Sequence, residues 1–292
     1  MKQLFEKENP IGYCLIPVLV FLLGKQVVYE ILMMVVQAAQ IQGWRQDNAQ
    51  ILVNGLADLA MIPVMWCCFV NRKSKNSVQA GSLRTGRQEQ REAAWFGIQK
   101  LTAYIGRSVL LCLLGGAACL AGNGLLQMTG LTRLLADDYS STMDTLYGGA
   151  FWIQVFWMVA AAPAAEELVY RKILYTRMRQ YCGFLGAAAG ASLVFGMAHG
   201  YILQGIYSFF LGILLCELME RYRSLYSVTL VHMAANLCSV TATCYVPLQN
   251  WLSDKGHSTA AALISVCVCI LILGYLIKTV PKPDIQEENP EG

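Results

Sequence analysis

Long apolar runs constrain this chain more than any other feature of its 292 residues. About eight stretches approach the roughly 20 apolar residues that a helix needs to cross a bilayer. They run from Ile11 into the thirties, from Ile51 to Val70, from Tyr104 to Met128, and from near Gly149 into Glu166-Glu167. Others begin near Gly183, Ile202 and Leu225, and the last extends from near Thr259 to Lys278. Hydrophobic residues make up 56% of the chain and charged residues 14%, against about a quarter charged in an average soluble domain. That leaves too little polar surface for water-soluble domains, so the expected fold is an all-α polytopic transmembrane bundle of about eight spans. A net charge of +3, scattered along the chain, does not point to nucleic acid. Lys2 and Lys7 precede the first run, but Lys25, Gln26 and Glu30 stand where a signal-peptide cleavage site belongs, so that run reads as a retained span.

Basic residues give the orientation. With the N-terminus cytoplasmic, Lys2, Lys7, Arg72, Lys73, Lys75, Arg84, Arg87, Arg91 and Lys100 fall inside, as do Arg171, Lys172, Arg177, Arg179, Arg221, Arg223, Lys278 and Lys282. Arg45, Arg133 and Lys255 fall outside, the bias that the positive-inside rule describes. Both termini are therefore expected in the cytoplasm. Residues 1–103 read as two spans plus a basic cytoplasmic stretch, Asn71 to Glu92; residues 104–280 as the helical core; residues 281–292 as a disordered acidic tail. Nearly all of the eleven cysteines lie in apolar runs and none forms a C-x-x-C pair, so they read as small buried hydrophobes.

Ionisable groups in lipid cost several kcal/mol unless paired or wetted, which makes them the informative residues. In Glu166-Glu167-Leu168-Val169-Tyr170-Arg171, Glu167 and Arg171 share a helix face as an ion pair. Glu166 is rotated about 100° away, free to enter a cavity as a general base for water. Phe195 and His199 are likewise four apart, as are His232 and Asn236. Each pair taken alone also reads as structural hydrogen bonding between helices. Together they supply a carboxylate, two imidazoles and an amide, the parts for activating water against a carbonyl. There is no H-E-x-x-H, no G-x-S-x-G and no pair of membrane aspartates, Asp58 being alone in its span. Counting 1.5 Å per residue places His199 nearer the outer face than Glu166 and His232. A shared site therefore requires the fifth helix to tilt or to begin outside the bilayer core.

The order E-E-x-x-x-R, F-x-x-x-H, H-x-x-x-N over about residues 151–245 resembles the CAAX protease and bacteriocin-processing (CPBP, or Abi) family. The resemblance implies a membrane-embedded endopeptidase in which Glu166 and His199 activate water and His232 and Asn236 stabilise the oxyanion. Glu167 matches a catalytic motif position, and Arg171 and Phe195 are supporting residues. The family is classed as metallo-endopeptidases, and Glu166, His199 and His232 are of types that suit zinc, so a zinc site there is one expectation. The resemblance further implies a peptide or lipidated-peptide substrate, a bacterial plasma membrane, and a role in bacteriocin processing or self-immunity. A catalytically silent immunity or scaffold protein of the same fold is the rival reading.

Overall fold

The structure, a computed structural model, describes residues 9–39, 46–70, 87–135 and 147–280, with backbone only at 87–103 and at Arg133. Among them are nine helices and no strand. We label them α1 (Pro10–Ala38), α2 (Gln46–Val70), α3 (Arg87–Met128), α4 (151–178), α5 (Phe184–Met197), α6 (Ile202–Tyr222), α7 (Leu225–Cys244), α8 (Val246–Ser253) and α9 (Lys255–Thr279); a single turn, Leu131–Leu134, follows α3. Six are long and apolar enough to cross a membrane: α1, α2, the Tyr104–Met128 part of α3, α6, α7 and α9. The other two expected spans are α4, interrupted by wide turns, and α5, whose 14 residues extend only about 21 Å at 1.5 Å per residue. Part of the basic stretch from Asn71 to Glu92 lies outside the described residues and the rest opens α3; the acidic tail, 281–292, lies outside them entirely.

The last helix begins earlier than the apolar run from Thr259 implies. Asp254 caps it by accepting the His257 N–H at 2.9 Å, which draws polar Lys255–Ser258 into the first turn. α1 pairs with α2, α5 folds back on α6, and α3 packs along both α7 and α9. Glycines set these distances where side chains would keep the helices apart. A Cβ on Gly196 of α5 would stand 2.6 Å from the Gly205 carbonyl oxygen of α6. Gly200, with φ +74°, supplies the left-handed residue of the short turn joining them.

The Arg177 guanidinium gathers the far end of α4. Nη1 donates to the Tyr13 carbonyl at 2.5 Å and Nη2 to that of Phe69 at 3.4 Å, while Cζ lies 4.2 Å over the Tyr13 ring. Large apolar side chains such as Leu23, Ile31, Leu185, Ile264 and Leu271 point outward, the surface of a lipid-solvated bundle. That also corrects the expectation for the cysteines. All eleven are free, but only Cys14, Cys119 and Cys216 are buried; Cys67, Cys68 and Cys267 are exposed, because an apolar run facing hydrocarbon need not face the core.

Gly196→Val should therefore cost about 1–3 kcal/mol by overpacking. The measurement is a thermal melt in detergent, where an unchanged midpoint would show that α5 and α6 need no such approach.

Candidate active site

Helix α4 presents the acidic pair, and its start is tied down before the chain reaches it. The buried Gln154 amide donates to the carbonyls of Tyr147 (2.9 Å) and Gly149 (2.7 Å), and Ala150 N–H donates to Asn48 Oδ1 of α2 at 2.7 Å. Residues Val155–Ala161 then run as wide turns with i→i+5 bonds, Ala162 N–H reaching the Trp157 carbonyl. The next bond in that pattern would join Pro163 to Met158, but proline has no N–H. The orphaned Met158 carbonyl is satisfied from α7, where Asn236 Nδ2 donates to it at 2.7 Å.

Glu166 and Glu167 follow and face different ways. Glu167 is fully buried, with Arg171 Nη1 3.1 Å from its Oε1, the ion pair read from their spacing. From α7, His232 Nδ1 lies 2.7 Å from the same oxygen. A carboxylate only accepts, so Nδ1 carries the proton. His232 Nε2 faces Glu166 Oε2 at 3.8 Å. Glu166 itself lines a cavity of about 650 Å³ together with His199, His232 and Asn236.

Phe195 joins the two imidazoles. Its ring centroid is 4.7 Å from that of His199 and 5.8 Å from that of His232, both edge-on. His199 Nδ1 lies 2.8 Å from the Phe195 carbonyl, which accepts its proton and leaves Nε2 unprotonated and free for the cavity. The Arg171 guanidinium stacks 4.2 Å over the Phe195 face. None of its nitrogens has a hydrogen-bond partner among the described residues, where the Glu167 charge and the phenyl ring are what hold it. The separation in depth that residue counting gave for His199 does not arise: α5 is short and delivers His199 just past its end, beside the residues of α4 and α7.

Residues 148–238, which contain every one of these motif positions, match the family model "Type II CAAX prenyl endopeptidase Rce1-like". The chain carries an Rce1-like domain. No curated protein and no solved structure matches the chain. With six long apolar helices among the described residues, some before, some within and one after the Rce1-like domain, it is a multi-pass integral membrane protein.

The donor types suit zinc: Nδ1 of each imidazole is engaged, leaving Nε2, and the Glu166 carboxylate lies 3.8 Å from Nε2 of His232. Yet among the described residues no three His, Cys, Asp or Glu side chains are grouped closely enough to hold an ion. The chemistry proposed for the site therefore uses the side chains alone.

Sequence reasoning missed a second charged group on the cavity wall, from spans that precede the Rce1-like domain. Asp58, alone in its own span, is fully buried and paired across to Lys25 of α1, whose Nζ lies 2.7 Å from Oδ1 and 2.9 Å from Oδ2. Trp157 of α4 donates its indole N–H to Asp58 at 3.0 Å. Lys25 and Trp157 both line the cavity that holds Glu166. The signal was available: two opposite charges in neighbouring apolar spans each need a partner. Lys25→Met alone should destabilise the protein by about 3–5 kcal/mol, because it strands a buried carboxylate, whereas Lys25→Met with Asp58→Leu should recover much of the loss. Unfolding of the three proteins in detergent checks this, and additive losses would remove the pair from the account.

Proposed function

We propose that the protein is an endopeptidase that hydrolyses a peptide bond within this cavity, with Glu166 as the general base. The observation that carries the reading is the division of labour between neighbouring carboxylates. Glu167 is occupied by Arg171 and His232, while Glu166 faces the cavity beside His232 Nε2 and takes no part in that pair.

Glu166 takes a proton from water as the water oxygen attacks the scissile carbonyl, and later returns it to the leaving amine. His199 Nε2, held outward by the bond at Nδ1, orients that water. The carbonyl oxygen becomes an oxyanion near α7, where Asn236 keeps one amide hydrogen after serving Met158. His232 Nε2, when it carries a proton, adds a second donor. Glu167 and Arg171 hold His232 in one tautomer and one orientation. The substrate class is a peptide, lipidated or not, the location a bacterial plasma membrane, and the process bacteriocin maturation or self-immunity. Both termini are cytoplasmic in this reading, since the basic ends of α4, α6 and α9 then face inward.

Purified protein in liposomes, incubated with a pool of unmodified and prenylated peptides and read by mass spectrometry, tests the proposal. Glu166→Gln should lower cleavage by about 10²–10⁴-fold with the melting midpoint retained, and Asn236→Ala by about 10²-fold. A strong metal chelator should leave the rate unchanged, whereas loss of activity restored by zinc would replace the side-chain mechanism with a metal one. Full cleavage by Glu166→Gln would overturn Glu166 as the general base, whereas no cleavage by any form would favour a silent immunity or scaffold protein.

A further inference from the structure

The catalytic cavity continues well beyond the residues that do chemistry. From Glu166 and His232 it passes Gln204 of α6 and reaches Asn123 and Gln127 of α3, Gln249 and Ser253 of α8, and Ser258 of α9. A second hollow of about 270 Å³ shares Gln127, Ser253 and Ser258 and carries the space on to Lys255 and Thr259. Asn123, Gln127, Gln249 and Ser253 are all exposed.

This is one particular end of the bundle. The last turns of α3, the end of α7, α8 and the start of α9 meet there. Arg177, Arg179, Arg221, Arg223 and Lys278 lie at the opposite end, where α4, α6 and α9 finish and α7 starts. The end that is rich in arginine and lysine stays in the cytoplasm, so the cavity leads to the extracytoplasmic face.

The chemistry of the wall is as informative as its direction. Among the described residues lining the larger space, Lys25 and Glu166 are the only ones with Lys, Arg, Asp or Glu side chains, and both belong to the catalytic end. Among apolar side chains such as Leu126 and Leu252, the outer part offers neutral amides and hydroxyls, which donate and accept at once. Such groups match a peptide main chain, whose N–H and C=O need partners when water is displaced. In the larger space they offer no counter-ion for a charged headgroup; Lys255 is the one Lys, Arg, Asp or Glu among the described residues lining the smaller hollow.

Resting on the endopeptidase reading, we infer that the substrate is a segment of an exported or surface-exposed polypeptide, threaded from the extracytoplasmic side through this vestibule and recognised there through its main chain. Ser253→Cys and, at the opposite end, Arg223→Cys test the inference in cells expressing the full chain, with the unsubstituted protein giving the background from native thiols. A membrane-impermeant maleimide should label Ser253→Cys in intact cells and Arg223→Cys only after permeabilisation. Attachment of a bulky maleimide at Ser253→Cys should lower peptide cleavage at least tenfold relative to the same unlabelled variant. Labelling of Ser253→Cys only after permeabilisation would overturn the side of entry, and full labelling without loss of cleavage would overturn the path. Absence of cleavage by the unsubstituted protein would instead sink the endopeptidase reading and the substrate assignment with it, while the labelling pattern would still decide which face the vestibule meets.

Discussion

The Glu167 carboxylate holds three helices in one arrangement. It is fully buried, and its Oε1 is shared between Arg171 on its own helix and His232 on α7. An isolated carboxylate at that depth would be too costly to remain ionised, so the geometry of both partners is imposed by its charge. Arg171, drawn to Glu167, lies over Phe195 of α5, and Phe195 sets the position of both imidazoles by edge contact. The chain of dependence thus runs from one buried charge to a ring stack, and from the ring stack to the two histidines. Glu166, one residue away, stays out of it and remains available to the cavity.

That division depends on the wide turns of α4. Each residue advances an α-helix by about 100°, so a turn that accommodates one extra residue rotates everything after it relative to everything before. Glu166 and Glu167 are aimed by the 155–161 segment as much as by their own position, and that segment is gripped from both sides. Asn236 fills the carbonyl that Pro163 leaves without a donor, and Asp58 holds the neighbouring Trp157. In the proposed mechanism Asn236 accordingly has two tasks, one hydrogen supporting the helix that carries Glu166 and the other left for the reacting oxygen. A histidine and an asparagine four apart need not serve the same bond merely because they share a helix face.

The sequence made local features legible and left the long-range ones hidden. Span positions follow from apolar runs, and the Glu167–Arg171 pair from a spacing of four, because both are set within one helix. The convergence of Glu166, His199 and His232 was readable from motif order, but not its means. Residue counting assumes each span crosses fully, and α5 does not have the length to do so. Asp58 looked solitary because its partners, Lys25 and Trp157, are 33 and 99 residues away in the chain. Nothing in periodicity relates residues on separate helices, and only the rule that lipid tolerates no unpaired charge could have linked them.

The Lys25–Asp58 pair also bears on where the functional unit ends. The Rce1-like domain covers residues 148–238, yet the wall of its cavity includes a lysine from α1, whose charge is balanced on α2 and whose counter-ion is held by α4. The outer wall comes from α3, α8 and α9, likewise beyond the matched residues. In water such peripheral helices would be optional cover. In a bilayer they are not, because a polar cavity must be walled off from hydrocarbon on every side and each charge on its wall must find an opposite one. In the proposed mechanism the motif residues therefore supply the chemistry, and the flanking spans supply the polar environment in which a water molecule can reach it.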